Sequence, residues 1–501
     1  MENTLPKNWV NTKLENLTDI IRGVSYKKDQ AFSEEFDESY YILRGGNIQD
    51  GKIDFNTDDN VYVSNNLVNE LQQIKKNDVV IVGSTGSKKL IGKAGIAEKD
   101  LENISFGAFL MLLRTKYINK KFHSYFFQTK YYRNTLSELA GGVNINNIRK
   151  EYLENLDFPL PPLAEQERIV AKLDALFAQH EKMKQALDKI PQLLKDFRQQ
   201  VLTQAVTGKL TEEFDYISMI SSIRNDREKW FNKQLEESKK NKTKKPQKIV
   251  LESHNDKSFL KSRLFKNIDV CFFEEIAAKK ENALKAGPFG SSLKKEFYVS
   301  KGYKIYGQEQ VIRGDIDFGD YYINESKFEE LKSCEVNEGD ILISLVGTIG
   351  KVLVIPQIFE KGIINPRLLK FSLHEYIYPD YIRLYLESNI AREFLTKNSH
   401  GGVMDVLNMG ILKLLPIPVP SYEEQQEIVS RVESLFAKAD AIEGRYNTLK
   451  AKIESLPQAL LHKAFKGELV PQLPTDGDAK DLLAEIIKLK EEAKPKKGKK
   501  K

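Results

Sequence analysis

The feature that most constrains this chain is that it repeats itself. FPLPPLAEQERIVAKLDALFA, starting at Phe158, returns as IPVPSYEEQQEIVSRVESLFA, starting at Ile417. At a fixed shift of 259, residues 158–210 and 417–469 match without a gap at 14 of 53 positions, where random pairing gives about three. Identical pairs include Glu165/Glu424, Gln166/Gln425, Ile169/Ile428, Phe177/Phe436, Ala205/Ala464 and Gly208/Gly467. Self-similarity of this kind predicts one structural unit used twice. The length of 501 residues independently exceeds what a single core supports.

Both copies carry a heptad. In the first, Ile169, Leu173, Leu176, His180, Met183, Leu187, Ile190, Leu194, Phe197 and Val201 alternate at spacings of four and three. In the second, Ile428, Val432, Leu435, Ala439, Ile442, Tyr446, Leu449, Ile453, Leu456 and Leu460 do the same. An apolar seam of this period needs a partner helix, and the two seams are most simply each other's partner, packed as an antiparallel coiled coil. Pro-rich PLPP or PVPS precedes each helix, and Gly208 or Gly467 stands at the expected C-terminal stop. Pro191 and Pro457 fall inside the pattern and predict a kink or restart, so the roughly 65 Å of an unbroken helix is an upper bound. His180 reads as a register-setting or partner-facing residue, since nothing beside it suggests a base or a ligand.

The segments before the helices align more loosely. YILRGGNIQDGKIDF at Tyr41 parallels YKIYGQEQVIRGDIDF at Tyr303, NDVVIVGSTG at Asn77 parallels GDILISLVGTIGK at Gly339, and AGGVNINNI at Ala140 parallels HGGVMDVL at His400. Alternating β-branched and aromatic runs bounded by Gly, Asp and Asn predict short strands, with helices such as Pro379 to Leu395 between them. Each module is therefore mixed α and β, giving an α+β chain with an internal pseudo-twofold repeat. Residues 213–258 read as an amphipathic helix followed by a basic linker, Lys239 to Lys248, and residues 476–501 as a Lys-rich tail. The net charge of +6 is carried by the last eight residues, which hold six Lys and no acid, so any nucleic-acid affinity must come from local clusters. Two Cys, Cys271 and Cys334, without CxxC or His neighbours, argue against disulfides and structural zinc and fit a reducing cytosol. No stretch approaches the apolar length of a membrane span, and a soluble cytoplasmic protein is expected.

Catalytic signatures are missing. GSTGSKK at Gly83 and GTIGK at Gly347 have the wrong spacing for a phosphate loop, and no GxGxxG, HExxH or Asn/Asp-Pro-Pro-aromatic loop occurs. Asp78 and Asp340 read as turn residues ahead of strands, not as metal ligands. What remains is recognition. Arg44, Asn47, Lys88, Lys89 and Lys93 in the first module, and Lys294, Lys295, Gln308, Gln310, Arg313 and Lys351 in the second, lie in Gly- and amide-rich connections. These are the side-chain types that reach base edges and phosphates.

The doubled order of module, proline-rich joint, EQ-containing heptad helix and Gly-x-Leu resembles the specificity subunit of type I restriction–modification enzymes over about residues 5 to 475. The matching phrases are PLPPLAEQERIV and IPVPSYEEQQEIV, GKL and GEL, GPFGSSLK from Gly287, GDILISLVGTIGK and GGVMDVLNMGILKLLPIPVP. The second module starts with FKNIDVCFFEEIAAKK and lacks the Trp that the first has at Trp9. The resemblance implies target recognition domains at 1–158 and 259–417, each reading one half of a bipartite, asymmetric site on double-stranded DNA. It implies conserved helical spacers at 159–212 and 418–475, and no catalytic residue or metal in this chain. Partners would be two methyltransferase subunits that use S-adenosylmethionine, with optional restriction and translocase subunits that use ATP and Mg; this chain would bind none of these cofactors. From the residues alone three other readings stay open: a subunit of a related multisubunit restriction system, a self-sufficient nuclease or methylase with an unrecognised site, and a scaffold with no DNA role.

Overall fold

The structure, a computed structural model, describes residues 5–57, 59–87, 89–140, 146–215, 217–246, 270–289, 291–345, 351–398 and 409–492. Lys88, the GTIG of the second glycine loop, the AGGVN and HGGV phrases beyond Ala140, and the final lysines lie outside the described residues. The chain divides into two units, Met1–Asp188 with Asn447–Lys501, and Lys189–Tyr446. Each unit therefore combines a module with helical segments from both copies of the repeat. Long helices that pack together link the two mixed α/β modules.

The modules share a strand plan that follows from their apolar runs. In the first, Val79–Val82 is buried throughout and pairs antiparallel with Leu110–Arg114 on one side and Ala94–Ile96 on the other. Asp19–Arg22 extends this sheet beyond Leu110–Arg114. In the second, Ile341–Ser344 is equally buried between Leu368–Phe371 and Val352–Val354, with Leu284–Ala286 at the far edge. A strand buried on both faces needs a continuous apolar run; VVIV supplies it in the first module, and Ile341–Ile343 ahead of the hydrogen-bonded Ser344 in the second. A second small sheet pairs Ser39–Leu43 in parallel with Ile104–Phe106, matched by Tyr303–Tyr306 and Gly362–Ile364. The ends of each module are tied by one antiparallel pair, Val10–Lys13 with Asp157–Leu160 and Val270–Phe272 with Pro416–Pro418.

The first spacer is two helices, Leu163–Leu187 and Ile190–Val206, with Pro191 in the opening turn of the second. There the missing N–H costs no hydrogen bond, so Pro191 restarts the helix. The helix Tyr422–Phe465 instead runs on through Pro457. Antiparallel packing is seen within each unit. In the first, Ile169 and Leu173 share a core with Leu461 and Ala464, and the His180 ring lies 2.9 Å from the carbonyl oxygen of Ile453. In the second, Val201, Leu202 and Ala205 pack with Ile428, Val429 and Val432, and Arg198 donates to Asp440 at 2.5 Å and Glu443 at 2.9 Å.

The seam is less continuous than its heptads suggest. Ile169, Leu173, Leu187, Ile428 and Val432 are buried, whereas Leu176 and Leu435 are half-buried. Met183, Ile442 and Leu449 are 41%, 49% and 46% exposed. The physical reason is supply: near the modules a third surface closes over the helices, while a two-helix pair alone leaves its flanks open.

The segment after each spacer also folds. Ile220–Asn241 buries Ile220 and Ile223 in the second unit, where Arg224 pairs with buried Glu275 at 2.6 Å. Ala479–Glu492 buries Ala479 and Ile486 in the first unit. Read from sequence as part of a Lys-rich tail, this segment has an apolar stripe of Leu482, Leu483 and Ile486 that packs on the core. Its start is fixed by a backbone bond from Ala479 N to Asn8 O at 3.0 Å.

Candidate nucleic-acid interface

The repeated Glu-Gln pair anchors each module to its helix. Gln166 accepts from Asn119 N at 2.9 Å and donates to Pro161 O at 2.8 Å; Gln425 accepts from Tyr378 N at 2.8 Å and donates to Tyr376 O and Pro420 O, both at 2.9 Å. Both side chains are fully buried. Glu165 accepts from Trp9 Nε1 at 3.0 Å, Asn8 Nδ2 at 3.2 Å and Gln472 Nε2 at 3.0 Å, joining the residues before the first strand to the segment after the helix Tyr422–Phe465. Glu424 accepts from Thr211 Oγ1 at 2.9 Å, and burial pushes its carboxyl above the usual range. These four residues tie the modules to the scaffold.

On that scaffold, each module brings several strand ends to one edge by the same backbone bonds. Gly107 N donates to Leu43 O at 2.9 Å in the first, and Asn365 N to Tyr306 O at 2.8 Å in the second. Gly83 N donates to Phe109 O at 2.9 Å, and Leu345 N to Arg367 O at 3.0 Å. Close approach makes glycine obligatory here: a Cβ on Gly23 would lie 2.2 Å from Gly107 O, and one on Gly287 1.8 Å from Asn365 O.

Nearly all the cationic and amide residues expected to read DNA lie on connections springing from this edge. Arg44 is exposed and pairs with Asp59. Lys89 is exposed, and Lys93 donates to Gln49 at 2.9 Å. Lys294 and Lys295 are exposed, Arg313 is exposed with its guanidinium 4.1 Å from the centroid of Phe318, and Gln308 donates to Ser344 Oγ at 2.8 Å. Lys351 is half-buried, and its charge eases the ionisation of Glu387, whose carboxyl burial pushes up.

Asn47 and Gln310 turn inward. Asn47 accepts from Arg44 N at 2.7 Å and donates to Asp54 O at 2.9 Å; Gln310 accepts from Gly307 N at 3.0 Å and donates to Phe318 O at 2.8 Å. Both amides are bonded at each end and buried, at 1% and 4% exposure, so neither presents an edge to a base. They shape the loop that carries their neighbours. Three exposed residues at the edge escaped the sequence reading: Phe109, Phe289 and Arg367. The signal available was position, since Phe109 and Arg367 each precede a buried strand by one residue.

Asp78 and Asp340 are turn residues. Asp78 accepts from Lys75 N at 2.7 Å and is clamped by Arg114, while Asp340 accepts from Asn337 N at 2.8 Å and from Ser372 Oγ at 2.5 Å. One group among the described residues, Asp226, His374 and Glu375, has ligand atoms within 4.8 Å of one another. The Lys279 ammonium already neutralises it, at 3.3 Å from Asp226 and 2.8 Å from Glu375. No cofactor site is evident among the described residues, and no helix among them is long and apolar enough to cross a membrane. Cys271 and Cys334 are buried and unpaired with each other.

Residues 6–192 and 288–451 match the family described as Type I restriction modification DNA specificity domain. The chain is 34% identical over 484 residues to the Type I restriction enzyme EcoKI specificity subunit of Escherichia coli, covering 93% of this chain and 90% of that one. It is equally 34% identical, over 486 residues and with the same coverages, to the StySPI specificity subunit of Salmonella potsdam. Among solved structures, the HsdS subunit of Thermoanaerobacter tengcongensis superposes with a TM-score of 0.56 at 17% identity, over 93% of this chain and 99% of that one. A chain solved in work on assembly and conformational transition of the type I R-M system gives 0.57, also at 17% identity, over 93% of this chain and 100% of that one.

Proposed function

Because the chain belongs to the type I restriction modification DNA specificity family, we propose that its two modules read the two halves of one interrupted, asymmetric DNA site through the edges described above. The chain is the DNA-specificity subunit of a type I restriction–modification complex, non-catalytic itself, and it positions methyltransferase and nuclease subunits on DNA. The observation that supports the two-reader proposal is the duplicated edge: equivalent backbone bonds hold Phe109 in one module and Arg367 in the other. One frame with different side chains supports two unlike half-sites.

In this reading the recognition domains run over about 1–158 and 259–417. Arg44, Lys89 and Lys93 contact one half-site, and Lys294, Lys295, Gln308, Arg313, Lys351 and Arg367 the other. The linked helices set the number of base pairs between halves and receive the methyltransferase subunits. S-adenosylmethionine, ATP and Mg act in partner subunits, in the cytoplasm, where buried reduced thiols are at home. The test is an exchange of residues 1–158 for the corresponding module of a relative, with the methylated sites mapped genome-wide. One half of the site should change and the other stay; a change in both halves would refute the two-reader assignment.

A further inference from the structure

We propose that Phe289 is a stacking wedge, an aromatic ring that enters the duplex beside a base step in the half-site read by the second module. The inference rests on the reading of that edge as the DNA surface.

Phe289 is 88% exposed, although described residues on either side of it are anchored. Gly287 is pressed against the Asn365 carbonyl and donates its N–H to Leu368 O at 2.9 Å. Pro288 is buried, and Leu293 is buried in the core of the smaller sheet. Between these anchors Ser292 N closes a turn onto Phe289 O at 2.8 Å. The loop thus has an inward residue on each side of an outward ring. An aromatic left in water between two anchored residues forgoes burial that it could gain only from something outside this chain.

Its surroundings say what that something is. Lys294 and Lys295 follow in the same segment and are exposed, and Arg367 stands exposed two residues beyond Asn365, the residue that Gly287 touches. Cations flanking a projecting ring match a polyanion whose stacked bases offer π faces, and apolar side chains inserted between base steps are a general device for opening a duplex. Ile358, exposed to the same degree, lies past the far end of strand Val352–Val354 and away from the edge, so exposure alone does not single out Phe289. The first module places its own exposed ring, Phe109 at 69%, at the equivalent edge. A wedge also suits a subunit that serves base-modifying partners, because chemistry on a base requires its removal from the stack.

The test uses the full complex with methyltransferase subunits and duplexes carrying 2-aminopurine along each half-site, once the site has been mapped by methylation. The parent and Phe289→Trp complexes should raise 2-aminopurine fluorescence in the half read by the second module. Phe289→Ala should abolish that rise and weaken binding by about 5- to 150-fold, the range for loss of one base–aromatic stack, with melting and assembly unchanged. Parental affinity and fluorescence in Phe289→Ala, together with weakened binding in Lys294→Ala or Arg367→Ala, would overturn the wedge and leave the edge as the DNA surface. Weaker binding in Phe289→Ala with no fluorescence rise in the parent would overturn stacking as its cause. If all three alanine variants bind like the parent, the edge itself is not the DNA surface and the wedge falls with it.

Discussion

Replacing Gln166 or Gln425 with alanine should loosen one unit and spare the other. Gln166 satisfies two backbone groups, Asn119 N and Pro161 O, and Gln425 satisfies three, Tyr378 N, Tyr376 O and Pro420 O. Both side chains are 0% exposed, so water cannot take over without opening the joint. Each buried partner left unpaired costs about 1–3 kcal/mol. Gln166→Ala should therefore cost the first unit about 2–6 kcal/mol and Gln425→Ala somewhat more in the second. For a unit of this size each kcal/mol lowers the melting midpoint by about 2–4 °C, so a shift of roughly 5–15 °C is expected for one of two transitions. The assay is hydrogen exchange with mass spectrometry on the full chain, read separately over Lys120–Phe126 and Pro379–Glu387, beside calorimetry. Faster exchange should be confined to Lys120–Phe126 in Gln166→Ala and to Pro379–Glu387 in Gln425→Ala. Variants that melt within about 0.5 kcal/mol of the parent, or that loosen both helices alike, would refute the claim that these amides are unit-specific anchors.

Other perturbations follow from the same geometry. His123 is fully buried, and burial lowers its pKa from 6.5 to about 3; the unfolded chain takes up a proton below pH 6.5 and the folded chain does not, so stability should fall as pH drops through that window, by about 2 kcal/mol between pH 7.5 and 5. Urea melts of the parent and His123→Asn check this, and an unchanged pH slope in the variant would count against it. Arg114→Met strands the buried Asp78 carboxylate, now held at 2.5–3.2 Å, and should cost about 3–5 kcal/mol, much of it recovered in the double variant with Asp78→Leu. Leu449→Glu, at an exposed seam position, should stay within about 0.5 kcal/mol of the parent in thermal melts, while Ile428→Glu, at 1% exposure, should cost several-fold more; equal effects would contradict the open-flanked seam.

Much of the frame was legible because it is written in local chemistry. The buried runs VVIV and ILIS, the glycines at 208 and 467 with φ of +71° and +74°, and the turn carboxylates Asp78 and Asp340 depend on a few neighbouring residues. Glu165 and Gln166 were visible as identities, but their partners Trp9, Asn119 and Gln472 lie far away in sequence, so their anchoring role was not. The docked helix Ala479–Glu492 had a signal that went unused: the shift of 259 lays it onto the helix starting at Ile220. Its few apolar positions were outweighed by the lysines that follow. The inward turn of Asn47 and Gln310 was hidden for a different reason. Composition cannot tell an amide that faces water from one that caps the loop beneath it, because the same two groups serve either purpose.

That division between local frame and free side chain bears on how such a subunit acquires a new address. At each edge the loops are held by main-chain bonds and by inward groups: Gly107 N to Leu43 O, Asn365 N to Tyr306 O, Asn47 beneath Arg44, Gln310 beneath Gly307. The outward residues contribute little to this hold. Arg44 and Asp59 form an exposed pair, of the kind worth about 0–1 kcal/mol, and Phe289, Phe109 and Arg367 are largely in solvent. Substitution at those outward positions should therefore be close to neutral for folding and large for recognition, whereas substitution of the inward set should do the reverse. A library that varies Arg44, Phe109, Phe289 and Arg367 while keeping Asn47, Gln310, Gly23 and Gly287 should yield mostly folded proteins with altered methylation sites. A library built the other way round should yield mostly unfolded ones. If both libraries fold equally well, the inward residues are not the frame, and the separation of scaffold from address fails.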